Sequence, residues 1–202
     1  MKDSSWFPVN HGQYGDLTVK DNIQSKLSEM LDYMTEKHSK VLPLRFDLKY
    51  PAEMIAPHSN RHISRCMTKI RQKYHRQGLD PHFFWVREQD ASHNPHYHCV
   101  LLLNGNKVRA FNHVFVTAAQ LWGNTIGSDQ KGLVYHCTDR EKGIPRDNGT
   151  LLSRTDPEYK EKFQRVHWHQ SYLSKTEDKA APKDNLRDYG YSRMPKHKGD
   201  KI

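Results

Sequence analysis

An α+β fold is the class this sequence predicts: an antiparallel sheet in the ferredoxin-like, split βαβ arrangement, with one helix before it and one after. Three observations point there. Leu44-Arg45-Phe46-Asp47-Leu48-Lys49-Tyr50 alternates apolar and polar residues with the period of a half-buried strand. Two aromatic and β-branched runs, Phe83 to Glu88 and His96 to Leu103, flank a polar connection, Gln89 to Pro95, and read as a hairpin. Helical periodicity fills the intervals, so the order from residue 44 is β-α-β-β-α-β and then a helix. That order predicts helices on one face of the sheet and a central hairpin whose other face is open to a ligand.

Each element has its own signal. Residues 1–16 read as an irregular lead-in. Thr18 with Asp21 resembles a capping box, and Val19, Ile23, Leu27, Met30 and Met34 recur at helical spacing. Pro43 lies beyond the end of that helix. Pro51 and Pro57 mark a loop, after which Ser59 or Asn60 caps a second helix. Its inward side is Ile63, Cys66, Met67, Ile70 and Tyr74, and Gly78 stops it. Asn104-Gly105 ends the hairpin. A third helix carries Phe111, Val114, Phe115, Ala118, Leu121 and Trp122 on one face. Gly132 to Cys137 reads as a short strand, and residues 138–155 as a surface loop. Asp156 and Pro157 open a last long helix with Tyr159, Phe163, Val166 and Leu173 as its apolar stripe. A short strand is expected at Tyr189 to Met194. The expected organisation is a lead-in and helix over 1–40, one domain over 41–195, and a basic tail over 196–202.

Composition narrows the function. The 202 residues carry 32 Lys and Arg against 23 Asp and Glu, a formal net charge of +9 with the 14 His neutral. Such a balance favours a polyanionic partner, nucleic acid before an anionic membrane. No run approaches the roughly 20 apolar residues of a membrane span. The first residues contain no apolar stretch of a signal peptide. Cys66, Cys99 and Cys137 are too widely spaced for a disulfide framework or a CxxC zinc site, so a reducing cytoplasm is expected. There is no GxxxxGK[ST] phosphate loop.

The sharpest chemical signal is His96-Tyr97-His98. On a strand, residues i and i+2 project from one face, so the two imidazoles can chelate one divalent ion. An HxH triplet also arises by chance among 14 His, but Glu88 ends the partner strand of the same hairpin and can supply a carboxylate. Asp90, in the connection, is the alternative third ligand. Two imidazoles and a carboxylate leave coordination positions open for a substrate oxygen. The second signal is on the last helix, where Arg165, Trp168, Tyr172, Lys175 and Lys179 follow at spacings of three and four. Tyr172 and Lys175 are one turn apart and can address the same phosphate. A basic face on the second helix, including Arg65 and Lys69, is either solvated or follows a phosphate backbone.

Taken together, His96-Tyr97-His98 and a later helix bearing Tyr172-Leu173-Ser174-Lys175 resemble the HUH endonuclease superfamily of rolling-circle replication initiators and relaxases. Phe84 to Gln89, Asn94 to His98, Leu101 to Gly105, Gly132 to Val134 and Ser171 to Lys175 are similar to the inovirus-type replication proteins and to the YagK/YfjJ C-terminal domain family of phage and prophage proteins. The resemblance covers about residues 41–195. It implies an origin-nicking enzyme for single-stranded DNA, with a divalent metal, Mn²⁺ or Mg²⁺, at His96, His98 and Glu88. Tyr172 is then the nucleophile, forming a 5′-phosphotyrosyl intermediate, and Lys175 stabilises phosphate charge. Arg87, Arg165, Trp168, Lys179, Arg65 and Lys69 are the expected DNA contacts. The implied partners are a single-stranded origin hairpin and a host helicase and polymerase, with no membrane. Some relatives carry two tyrosines on this helix; here Trp168 stands one turn before Tyr172. The rival readings are a tyrosine transposase or plasmid relaxase with the same site, and a non-catalytic nucleic-acid-binding protein left by a decayed prophage.

Overall fold

The computed structural model describes residues 19–89, 93–108, 111–137, 148–175 and 186–195. The elements in chain order are α1 (Asp21–Lys37), β1 (Lys40–Leu48), α2 (Arg61–Arg76), β2 (His82–Glu88), β3 (His96–Asn104), α3 (Asn112–Ile126), β4 (Val134–Tyr135), β5 (Leu152–Ser153), α4 (Tyr159–Ser171), a 3₁₀ turn (Tyr172–Ser174) and β6 (Tyr189–Tyr191). The fold is α+β. The sheet order is β4-β1-β3-β2-β6, with β5 also on β1, and every pairing is antiparallel. Because β1 and β2 both oppose β3, they run in the same direction with β3 inserted between them.

The register follows from side-chain alternation. Leu42, Leu44, Phe46 and Leu48 of β1 share a face with Phe83 and Trp85 of β2 and with Tyr97, Cys99, Leu101 and Leu103 of β3. Helices α2 and α3 cover that face with Ile63, Met67, Ile70, Phe115 and Trp122. The Trp122 indole N–H donates to the Lys49 carbonyl at 2.6 Å, so its polar atom is satisfied inside the core. The opposite face carries Val41, Phe84, Val86, Val100 and Leu102, and α1 and α4 cover it with Ile23, Leu27, Leu31, Phe163 and Val166.

Helices therefore lie on both faces, against the expected single face. The physical reason is visible in the strands: Val100 to Leu103 is apolar on both sides, and a sheet apolar on both faces must be covered on both. One end of the α1/α4 face holds Arg45, Asp47, Glu88, His96 and His98, and the buried His82 and Asn104 lie at the other end.

Several boundaries differ from expectation. The first strand starts at Lys40 and includes Pro43. Pro43 is tolerated because its backbone faces the side where β4 and β5 leave a gap. There the Pro43 carbonyl accepts from the Gly149 N–H at 3.2 Å, and the Asn148 side chain pairs with the backbone of Arg45 at 2.7 Å in both directions. Thr18 lies outside the described residues, and α1 begins after Lys20 with no side-chain cap. Asp156 and Pro157 form a turn before α4, in which the Asp156 carboxylate accepts from the Glu158 N–H at 2.9 Å. The last helix stops at Ser171. The strand expected over 132–137 is only Val134–Tyr135, and the one expected at 189–194 is Tyr189–Tyr191. Edge strand β6 needs Gly190, because a Cβ there would lie 2.5 Å from the Trp85 ring.

Among the described residues, no helix is long and apolar enough to cross a membrane. Phe46 is fully buried and packs edge-on to Phe115 at 6.4 Å between ring centroids. Phe46→Ala should cost about 3–5 kcal/mol of stability. Urea unfolding followed by tryptophan fluorescence measures it.

Candidate active site

The β2–β3 register sets Glu88 directly opposite His96 and Val86 opposite His98. Glu88, His96 and His98 thus share one face at one end of the hairpin. The Glu88 Oε2 faces the Nε2 of His96 at 2.7 Å and also meets the Nε2 of His98. One ligand atom from each residue lies within 4.8 Å of the others. Glu88 is 3% exposed. Burial pushes its carboxyl up, but the bonds to His96 and His98 and the charge of Lys175 outweigh that and hold it well below the usual carboxylate range.

Strand β1 supplies a fourth group. The β1–β3 register places Asp47 opposite His98, and the Asp47 Oδ1 lies 2.7 Å from the His98 Nδ1. The imidazole is therefore held from behind by one carboxylate while its other nitrogen faces Glu88. A second carboxylate that fixes the orientation of a ligating imidazole is a recurrent device of metal sites. His98 is almost fully buried, which opposes its charged form, yet the bonds to Asp47 and Glu88 raise its pKa overall. The donor set fits a divalent cation: two imidazole nitrogens, one ionised carboxylate oxygen, and an oriented ring. The Glu/His/His cluster can hold such an ion.

Tyr172 stands over this cluster. Its ring meets His98 edge-on at 5.5 Å between centroids. The Lys175 Nζ is 4.5 Å from the ring centroid and the Arg45 guanidinium carbon 4.2 Å. Lys175 also lies 3.2 Å from the Glu88 Oε1 and is 7% exposed. Burial disfavours its charge, but the Tyr172 hydroxyl and Glu88 more than compensate and keep it protonated. The Tyr172–Lys175 pair is presented by the 3₁₀ turn that follows α4. That turn is held by the start of α1: the Lys20 N–H donates to the Ser174 carbonyl at 2.7 Å, Val19 bridges Lys175, and the Ser174 hydroxyl donates to Gln24 at 2.9 Å.

The structure thus brings together His96, His98, Glu88, Tyr172 and Lys175. The remaining expected residues are elsewhere. Arg87 points to the opposite face of the sheet from Glu88 and donates to the Gln89 Oε1 at 2.7 Å. Arg65 and Lys69 lie on α2, also across the sheet from Tyr172. A hollow of about 860 Å³ on that side, lined by Ser64, Trp85, Arg187 and Arg193 among others, contains none of the cluster. Arg165 and Trp168 are half-buried on α4. Asp90 and Lys179 lie outside the described residues. Sequence reasoning missed Arg45 and Asp47. Their signal was the alternation of β1 itself, two charged residues on one face of a strand otherwise apolar.

A metal ion should stabilise the chain. At a hundredfold excess of Mn²⁺ over its Kd the gain should be about 2.7 kcal/mol, visible as a rise in Tm that a chelator reverses and Glu88→Ala abolishes. Asp47→Ala should retain the ligands yet weaken Mn²⁺ binding by about 10–100-fold, as isothermal titration calorimetry would show.

The family model described as the YagK/YfjJ C-terminal domain matches residues 11–192. No curated protein and no solved structure gives a match. The matched span contains the six strands and four helices of the described residues and every residue of the cluster, and the chain belongs to the YagK/YfjJ C-terminal domain family.

Proposed function

We propose that this protein nicks and rejoins single-stranded DNA through a phosphotyrosyl intermediate at Tyr172, as an HUH-type initiator of phage or prophage replication. The observation that carries this reading is Tyr172, which meets the Glu88–His96–His98 cluster from a separate element while two cations flank its ring. The strand order β4-β1-β3-β2, with β1 and β2 parallel around β3, supports it, being the order expected of the split βαβ fold. The net charge of +9 suits a polyanionic substrate.

A divalent ion held by His96, His98 and Glu88 would supply Lewis-acid polarisation of a phosphate oxygen. The chain's own groups do the rest. The Tyr172 oxygen attacks phosphorus, the bond to the 3′ oxygen breaks, and a 5′-phosphotyrosine and a free 3′-hydroxyl result. The phosphoester keeps the bond energy, so attack by a 3′-hydroxyl reverses the step and rejoins DNA. Lys175, protonated beside the phenol, stabilises negative charge as it develops on the phenolic oxygen or the phosphate. Asp47 keeps the His98 ring in place. Tyr159 lies a dozen residues before the end of α4, about 18 Å along a helix axis, and does not replace Tyr172. Repeated strand transfer therefore needs another route, such as a second copy of the chain.

The test is covalent capture. The full chain, with Mn²⁺ and labelled single-stranded oligonucleotides spanning its element's candidate origin, should give an adduct that survives denaturing electrophoresis. Tyr172→Phe should abolish it, and Lys175→Met should slow its formation by about 10²–10³-fold. An adduct that persists in Tyr172→Phe overturns the choice of nucleophile. Tight, salt-sensitive binding without any adduct would instead favour a non-catalytic nucleic-acid-binding protein.

A further inference from the structure

Arg45 is a buried cation in an unusual electrostatic position. It is 9% exposed, on the interior strand β1, at the same end of the sheet and on the same face as Asp47. The site's carboxylates are committed elsewhere: Glu88 to His96, His98 and Lys175, and Asp47 to His98. Arg45 influences Asp47 and His169 through its charge, but no ion pair among the described residues engages it. Among the described residues its one side-chain hydrogen bond runs from Nη1 to the His169 carbonyl at 3.3 Å, and its buried Nε meets no acceptor.

The guanidinium lies over the Tyr172 ring at 4.2 Å. Stacking of this kind uses the flat face of the guanidinium and leaves the N–H donors at its edge available. A buried guanidinium with spare donors is costly alone and becomes favourable when an anion accepts them, above all a phosphate, whose paired oxygens match the fork. Lys175 cannot take this role so freely, since Glu88 and the Tyr172 hydroxyl already hold it.

We propose that Arg45 is the phosphate-binding residue of this site: its edge donors grip non-bridging oxygens of the phosphate that Tyr172 receives, and keep that grip in the phosphotyrosyl ester. Arg45 neither gives nor takes a proton. The inference rests on the reading of Tyr172 as the nucleophile, but binding of a free phosphate anion can be measured without it.

The probe is inorganic phosphate, titrated into the Mg²⁺-loaded full chain and followed by ³¹P NMR and by the ¹⁵N resonance of the Arg45 Nε–H. Phosphate should shift that resonance in the wild type. Arg45→Met, which keeps the apolar stem, should bind phosphate at least tenfold more weakly, and Arg45→Lys, which keeps the charge but loses the fork, should fall between. Mg²⁺ affinity should not fall in either variant, separating loss of the anion contact from collapse of the site. Equal phosphate affinity in Arg45→Met and wild type overturns the proposal. If the methionine variant does not fold, an Arg45 resonance that ignores phosphate in the wild type overturns it equally. Phosphate binding through Arg45 without any DNA adduct would sustain this inference while removing the nicking reading. An adduct formed by Arg45→Met at wild-type rate and KM would do the reverse.

Discussion

The pairing register of β1, β3 and β2 is the constraint on which the site depends. Asp47, His98 and Glu88 come from three adjacent strands and meet only because Asp47 is opposite His98 and Glu88 is opposite His96. A slip of one residue in either ladder would turn a carboxylate to the other face of the sheet, into the core beneath α2 and α3. The two apolar clusters prevent that slip. Each strand has large side chains packed on both faces, so any change of register would bury charge and break the packing of both apolar clusters together. The packing that gives the chain its stability thus also sets the geometry of its polar end.

That polar end is a balance of buried charges. Two carboxylates, one ammonium and one guanidinium share the space around His96, His98 and Tyr172. Each carboxylate is held ionised by its partners despite burial, which is why the cluster survives inside the protein. The cost of desolvation is met by short contacts with good geometry, and those contacts fix ring orientations as well. Tyr172 and Lys175 are the members supplied by the helical layer rather than by the sheet. Their position relies on the turn after α4 and on the helix that precedes the sheet.

Much of this was legible in the sequence, and the rest has a physical reason for being hidden. Glu88, His96 and His98 could be paired because a hairpin is local: its register follows from the alternation of two neighbouring runs. Tyr172 and Lys175 could be paired because they lie one helical turn apart. Arg45 and Asp47 could not be added, since the β1–β3 register joins residues about fifty positions apart and alternation alone reads as solvent exposure. The coverage of both faces was hidden for a related reason: α1 reads as a helix outside the domain, within residues 1–40, although its apolar stripe is the complement of Phe84, Val86, Val100 and Leu102. Periodicity also carried the last helix past its true end. The chain turns at Tyr172 because Ser174 and Lys175 bond back to Val19 and Lys20, a tertiary contact that no local pattern contains.

That contact between residues 19–20 and 174–175 has a consequence for the order in which the molecule becomes competent. Ribosomal synthesis delivers the three strands of the site first, and a nascent chain ending before Tyr172 already contains every residue of the Glu88–His96–His98 cluster and its Asp47 support. It lacks the phenol and the ammonium that complete the site. The first described residues must wait, unpaired, for segments made some 150 residues later. A chain interrupted during synthesis can thus carry the whole Glu88–His96–His98 cluster without the phenol above it, and under the proposed function its completion would act as a safeguard on its chemistry.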